Sequence, residues 1–313
     1  MASHINKIIV FLSVYAISSV NSFALDDGPP SLLDLPKHIV QDSRTFVDTS
    51  FREDKLPAIT EIAAATAVLL HYDQDLRNGA EKLGKRLNLD SDDKTKTYIK
   101  EGRWNIFRGP SDMGSSLYFL GDGWVHSSIS LGFYTYGVLG ADPRAKTTGY
   151  ALVEGLVTST LITQLLKHIT GRESPSTTSV AGGVWRFFPD QGKYAKDQNK
   201  YNAYPSGHVT TAMMTMTVIS GSYPDNKYIQ PVGYTLMTLL AFQMVNNGAH
   251  WASDYPLAIG IGYSVGKISL ANAGGKPAPK KAAADKPAAA GPDMHLLPYF
   301  TADASGLMML YRM

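Results

Sequence analysis

The chain contains no cysteine in its 313 residues. That removes disulfide staples, thiolate nucleophiles, iron–sulfur clusters and cysteine-based zinc sites in one step. Charge is scarce as well: Asp, Glu, Lys and Arg make up 18% of the chain, below the usual quarter. Lys plus Arg is 29 and Asp plus Glu is 27, a net charge of +2. Such a balance gives no basic footprint for nucleic acid. No internal repeat stands out, and the mean hydropathy of −0.11 argues against a bundle made mostly of lipid-facing helices. What is present is ample apolar material, 44% hydrophobic and 10% aromatic. This is enough for one large domain, or two small ones, around a substantial core.

Residues 1–24 read as a secretory signal peptide. Lys7 closes a short polar start, Ile8–Ile17 is an apolar run too short for a comfortable span, and Ser22 and Ala24 meet the small-residue rule at a cut. An uncleaved anchor is the alternative, and a lipoprotein is excluded because it needs a cysteine. Export places the mature chain in the periplasm or cell envelope. Residues 25–55 are Pro- and Asp-containing and read as irregular. Leu56–Leu70 reads as a helix ended by the polar Asp73–Arg77, and residues 78–112 as short surface helices and loops.

A helical domain is expected over residues 56–272, with apolar stretches at 113–140, 149–168, 208–220, 229–246 and 254–270. Two runs, around 123–141 and 229–253, are long enough to span a bilayer. Polar Gln230, Asn246 and Asn247 make the second a poor lipid-facing segment, and buried core helices are the preferred reading. An Ala/Pro/Lys linker follows at residues 273–292, then a strand-like tail at 293–313.

Three features carry chemistry. Tyr204-Pro205-Ser206-Gly207-His208 opens an apolar helical run. Ser206 is a helix cap, Gly207 allows close backbone approach, and a helix N-terminus attracts phosphate. His208 in the first turn would hand a proton to a leaving oxygen. In Gly248-Ala249-His250-Trp251-Ala252-Ser253-Asp254, His250 and Asp254 lie on one helical face or close across a short turn. A carboxylate on one imidazole nitrogen fixes the tautomer and frees the other nitrogen to attack phosphorus. Lys167-His168-Ile169-Thr170-Gly171-Arg172-Glu173-Ser174-Pro175 ends an apolar helix and offers cationic anion ligands. Each feature has an ordinary counterpart: a plain cap, a surface pair, and basic partners of a helix dipole.

In this order and spacing the three resemble the motifs of the type 2 phosphatidic acid phosphatase family, whose superfamily includes the vanadium haloperoxidases and bacterial acid phosphatases. The family's motifs are Lys, six residues, Arg-Pro; then Pro-Ser-Gly-His; then Ser-Arg, five residues, His, three residues, Asp. The likeness covers about residues 113–270 and matches the second motif in full. It implies an all-α helical bundle with the site at the helix ends. It also implies His250 as the phosphate-attacking nucleophile, Asp254 as its orienting partner and His208 as general acid. Lys167, Ser206 and the Gly207 amide would hold phosphate oxygens, with no metal or other cofactor.

The departures are Ser174 where the first motif has Arg, and Gln243-Met244 where the third has Ser-Arg. A partly buried Arg–phosphate pair contributes about 2–3 kcal/mol. Arg172 and Arg186 are the candidate substitutes, and His126 is a further histidine that reads more simply as a core residue. The leading function is therefore an exported metal-independent phosphatase of phosphate monoesters, lipid phosphates among them, working through a phosphohistidine. Its partners would be a phosphorylated small molecule or lipid, with peripheral membrane contact and no nucleic acid. A non-catalytic phosphate- or headgroup-binding envelope protein is the alternative, and a vanadate-dependent haloperoxidase the third reading.

Overall fold

The computed structural model describes residues 23–25, 31–92, 94–102, 104–277, 293–300 and 305–312. Most of the expected signal peptide and linker lies outside the described residues. Contacts divide the chain into a unit up to Pro277 and a second from Ala278 onward. The second contains an antiparallel hairpin of β5 (Asp293–Phe300) and β6 (Ser305–Arg312), with Asp293 opposite Arg312 and Phe300 opposite Ser305.

The first unit is all-α apart from two small ribbons. β1 (Phe23–Leu25) pairs with β4 (Gly275–Pro277), and β2 (Thr95–Glu101) with β3 (Trp104–Pro110). The segment expected to be irregular instead holds α1 (Leu35–Ser50), which starts at Pro36 in its first turn and buries Asp42. Proline suits that position because the missing N–H is an orphan there anyway.

The next helix, α2 (Leu56–Arg86), does not stop at Asp73. Its buried residues Leu69, Asp73, Leu76, Ala80 and Gly84 recur at helical spacing, so the polar run continues the inward stripe. Asp73 is tolerated inside because an arginine meets it there. Residues 78–112, expected as short surface helices and loops, hold the end of α2 and the β2–β3 ribbon.

Five further helices build the core: α4 (Gly123–Leu139), α5 (Pro143–Thr170), α7 (Gly207–Ser222), α8 (Ile229–Asn246) and α9 (Tyr255–Asn272). Short α3 (Met113–Phe119) precedes them, and α6 (Gln191–Lys196) sits between α5 and α7. Asp122, Asp142 and Ser206 cap α4, α5 and α7 with side-chain acceptors, each satisfying an N-terminal amide.

Small residues let α7, α5 and α9 approach closely. A Cβ on Gly262 of α9 would fall 2.4 Å from the Thr210 carbonyl. One apolar cluster joins α2, α7, α8 and α9 through Leu69, Leu76, Val209, Leu240, Met244 and Ala258. A second joins α5, α7 and α9 through Tyr150, Leu152, Met214, Val218 and Val265.

Neither run first considered as a membrane span qualifies as one. The helix among the described residues that is long and apolar enough is Pro143–Thr170, and half of its most apolar window is buried inside the protein.

Candidate active site

The site forms where α5 ends and α7 begins. Gly171 terminates α5 in the left-handed region at φ 52°, where any Cβ would lie 2.1 Å from the Arg186 carbonyl. Lys167, one turn earlier, is buried. A Cβ on Gly207 would stand 3.4 Å from its Nζ, so the ammonium lies against the first turn of α7. The Gly207 and His208 amides have no intrahelical partner at that position. Ser206 is fully buried; its Oγ accepts the Val209 N–H at 3.4 Å and its N–H donates to the Asp254 carbonyl at 3.2 Å.

His250 and Asp254 meet across a turn, not along one helix face. Residues Ala252–Asp254 form a 3-10 turn, and Asp254 Oδ2 accepts the Trp251 N–H at 2.7 Å. His250 Nδ1 faces two acceptors, the Ala203 carbonyl at 2.8 Å and Asp254 Oδ2 at 3.5 Å. A carbonyl only accepts, so Nδ1 carries the proton and Nε2 keeps its lone pair. The His208 ring lies 5.9 Å from that of His250, nearly edge-on, with Tyr118 on its other side at 4.9 Å. Thus Lys167, Ser206, Gly207, His208, His250 and Asp254 gather at one place.

Burial sets the electrostatics. It holds the Lys167 pKa down at about 8, with Asp254 opposing the shift. Burial, then His250 and Lys167, keep His208 well below its ordinary range. His250 is lowered by burial too, against the pull of Asp254. All three shifts run toward the less positive form, and a bound anion would reverse them. Lys167 loses its charge as pH rises through 8 in the empty site. Competitive inhibition by inorganic phosphate or vanadate is accordingly expected to weaken severalfold between pH 7 and pH 9, measured as an inhibition constant; a flat profile would remove Lys167 as an anion ligand.

The two arginines expected as phosphate ligands are engaged elsewhere. Arg172 is fully buried, its guanidinium over the rings of Trp185 at 4.8 Å and Trp251 at 5.5 Å. Its Nη1 donates to Asp254 Oδ1 and, at 2.6 Å, to Ser253 Oγ. Its Nη2 donates to Asp73 Oδ2 at 2.7 Å and the Gly182 carbonyl at 2.8 Å. Two carboxylates thus hold this guanidinium. Arg186 is held at the rim by the Lys200 carbonyl at 3.2 Å and Glu173 at 3.4 Å.

The two positions where the motifs have arginine are built for other work. Ser174 is buried, its Oγ 3.4 Å from Asn202 Oδ1. Met244 is wholly inside the first apolar cluster, and its carbonyl receives the Ala249 and His250 N–H groups.

His126 is buried behind His208, its Nδ1 2.8 Å from Thr215 Oγ1 and its pKa pushed by burial down to about 4. Asp73, Tyr118, Trp185 and Trp251 were not anticipated. Asp73 alone had a usable signal, a charged residue on the apolar stripe of α2.

Residues 148–275 match the family model of the PAP2 superfamily. A lipid A 1-phosphatase of Porphyromonas gingivalis is 31% identical over 78 residues, which is 25% of this chain and 18% of that protein. The match thus spans about a fifth of the relative's length. The crystal structure of Aquifex aeolicus LpxE is a structural neighbour with a TM-score of 0.37 and 16% identity, covering 50% of this chain and 83% of that one.

Proposed function

We propose that the protein is an exported, metal-independent phosphatase that removes phosphate from monoesters, with a phosphorylated lipid as its substrate class. The observation that carries this is the 2.8 Å approach of His250 Nδ1 to the Ala203 carbonyl, which selects one tautomer. With Nδ1–H on the Ala203 carbonyl and Asp254 behind it, Nε2 is a preorganised nucleophile beside a lysine and a helix N-terminus.

In the forward step Nε2 attacks phosphorus and the bond to the leaving oxygen breaks. That oxygen takes a proton from His208, whose basicity rises once the phosphate dianion is bound. Water then attacks the phosphohistidine, His208 takes the water's proton, and inorganic phosphate leaves with Nε2 restored. Lys167 and the Gly207 amide bind the non-bridging oxygens throughout.

The lipid class is supported by the relative named as a lipid A 1-phosphatase. Exposed apolar side chains along α4 and α5 also support it, among them Trp124, Leu131, Leu139, Leu161 and Leu165. They supply a surface for peripheral contact with a membrane.

The test is phosphate release from a panel of lipid and soluble monoesters with and without EDTA. Activity that persists in EDTA and is inhibited by vanadate is the expected result; dependence on an added divalent metal contradicts the mechanism. Mass spectrometry of the exported protein should find its first residue at Leu25. The second reading, a phosphate binder without turnover, is favoured by Ser174 and Met244 in place of arginines. It predicts anion binding and no release on any member of the panel.

A further inference from the structure

We propose that Asp73 and Arg172 are positioning residues of this site: a buried charge pair that fixes Asp254 from behind and leaves it a full negative charge to present to His250. The inference rests on His250 being the nucleophile. Its content is that α2, remote in sequence from all three motifs, sets the electrostatics of the attacking imidazole.

The chain of contacts is continuous. Asp73 Oδ2 receives Arg172 Nη2 at 2.7 Å and Ser253 Oγ at 2.6 Å, and Asp73 Oδ1 receives the Ser253 N–H at 3.0 Å. Arg172 Nη1 then meets Asp254 Oδ1, and Asp254 Oδ2 stands 3.5 Å from His250 Nδ1. Asp73, Arg172, Ser253 and Asp254 are all essentially without solvent exposure. Asp73 therefore grips both the arginine and the 3-10 turn that carries Asp254.

Charge arithmetic assigns the role. An arginine paired with Asp254 alone would cancel the carboxylate that must stabilise a cationic, phosphorylated imidazole. Asp73 supplies a second negative charge, so the trio sums to one negative behind His250. In front stand Lys167 from α5 and His208 from α7. Tyr204 and Tyr255 flank Asp254, and Arg77 from α2 lies over the far ring of Trp251 at 5.9 Å. Burial raises the Asp73 pKa and Arg172 opposes that shift, as a pair that needs its partner to stay charged would require.

Neither residue touches the phosphate position, so the expected signature is a split between turnover and binding. Asp73→Asn should lower kcat about tenfold, the scale of one lost buried charge contact, with KM for a small monoester and the vanadate inhibition constant within about twofold. His250 must be neutral to attack. Removing a negative charge lowers its pKa, so the acid limb of the pH–rate profile should move down by about one unit. Arg172→Lys keeps the charge but reaches only one carboxylate, and should show the same loss of kcat with little change in vanadate binding. The double variant Asp73→Asn/Arg172→Gln again leaves one negative charge; its acid limb should return toward wild type while kcat stays low.

Long-range proton–nitrogen NMR of His250 reads tautomer and titration in each variant without any turnover. A wild-type protein that releases no phosphate thus counts against the proposed function, while the His250 titration still decides this inference. The proposal is overturned if Arg172→Lys weakens vanadate tenfold with the acid limb unmoved, which makes the arginine a phosphate ligand. It is equally overturned if the variants lose only thermal stability while kcat, limb and His250 titration match wild type. Failure of every variant to fold would identify the pair as purely structural and overturn it as well.

Discussion

His250→Ala is expected to abolish phosphate release, a loss of at least about a thousandfold, because the variant lacks the nucleophile of the proposed mechanism. The variant should still bind vanadate, since Lys167 and the start of α7 remain. His208→Ala has a different signature. It removes the proton donor and not the nucleophile, so the loss should be largest with alkyl monoesters, whose leaving oxygen is strongly basic. It should be smallest with aryl monoesters, whose oxygen leaves unprotonated. Rates measured on a leaving-group series give a steeper dependence for this variant than for wild type. Equal loss across the series would take His208 out of the acid role.

Met244→Arg, the change that would restore the third motif's arginine, is expected to destabilise the protein and not to improve the site. Met244 has no solvent exposure and packs in the cluster with Leu69, Leu76, Val209 and Leu240. An unpaired guanidinium there would cost several kcal/mol, roughly 3–5 on the scale of a broken buried pair. For a domain of this size that lowers the thermal midpoint by about 10 °C or more, readable by calorimetry. The Met244 carbonyl also holds the His250 N–H, so loosening this turn would displace the nucleophile. An unchanged midpoint with tighter vanadate binding would show that the side chain reaches the phosphate after all.

The motif residues were legible because their chemistry is local. Ser206, Gly207 and His208 form a cap, and a cap is written in consecutive residues. The pairing of His250 with Asp254 needed only a spacing, although that spacing left open whether a helix or a turn joins them. The partners of Arg172 were not legible because they are distant: Asp73 lies 99 residues earlier and Asp254 82 residues later. Nothing within the segment distinguishes a guanidinium aimed at phosphate from one claimed by two carboxylates.

The same limit governed α2 and α1. Asp73 and Asp42 look like surface residues until tertiary partners account for them, and their polarity suggested an end to α2 and an irregular N-terminal stretch. The helical core from α4 to α9 was readable because its apolar stretches are long, although the stretch at 149–168 missed the first turns of α5, which starts at Pro143.

The position of Asp73 bears on where this protein can be cut. The sequence match to the superfamily begins at residue 148, yet α2 contributes a carboxylate to the ion network and Leu69 and Leu76 to the apolar cluster. An excised fragment covering only the matched region would carry every motif residue. It would also leave Arg172 with Asp254 as its one carboxylate partner, and one face of α8 and α9 bare. The evolutionary unit and the folding unit of this chain therefore have different edges. Domain grafting, truncation libraries and chimeras drawn at the former would test a piece that the latter does not support.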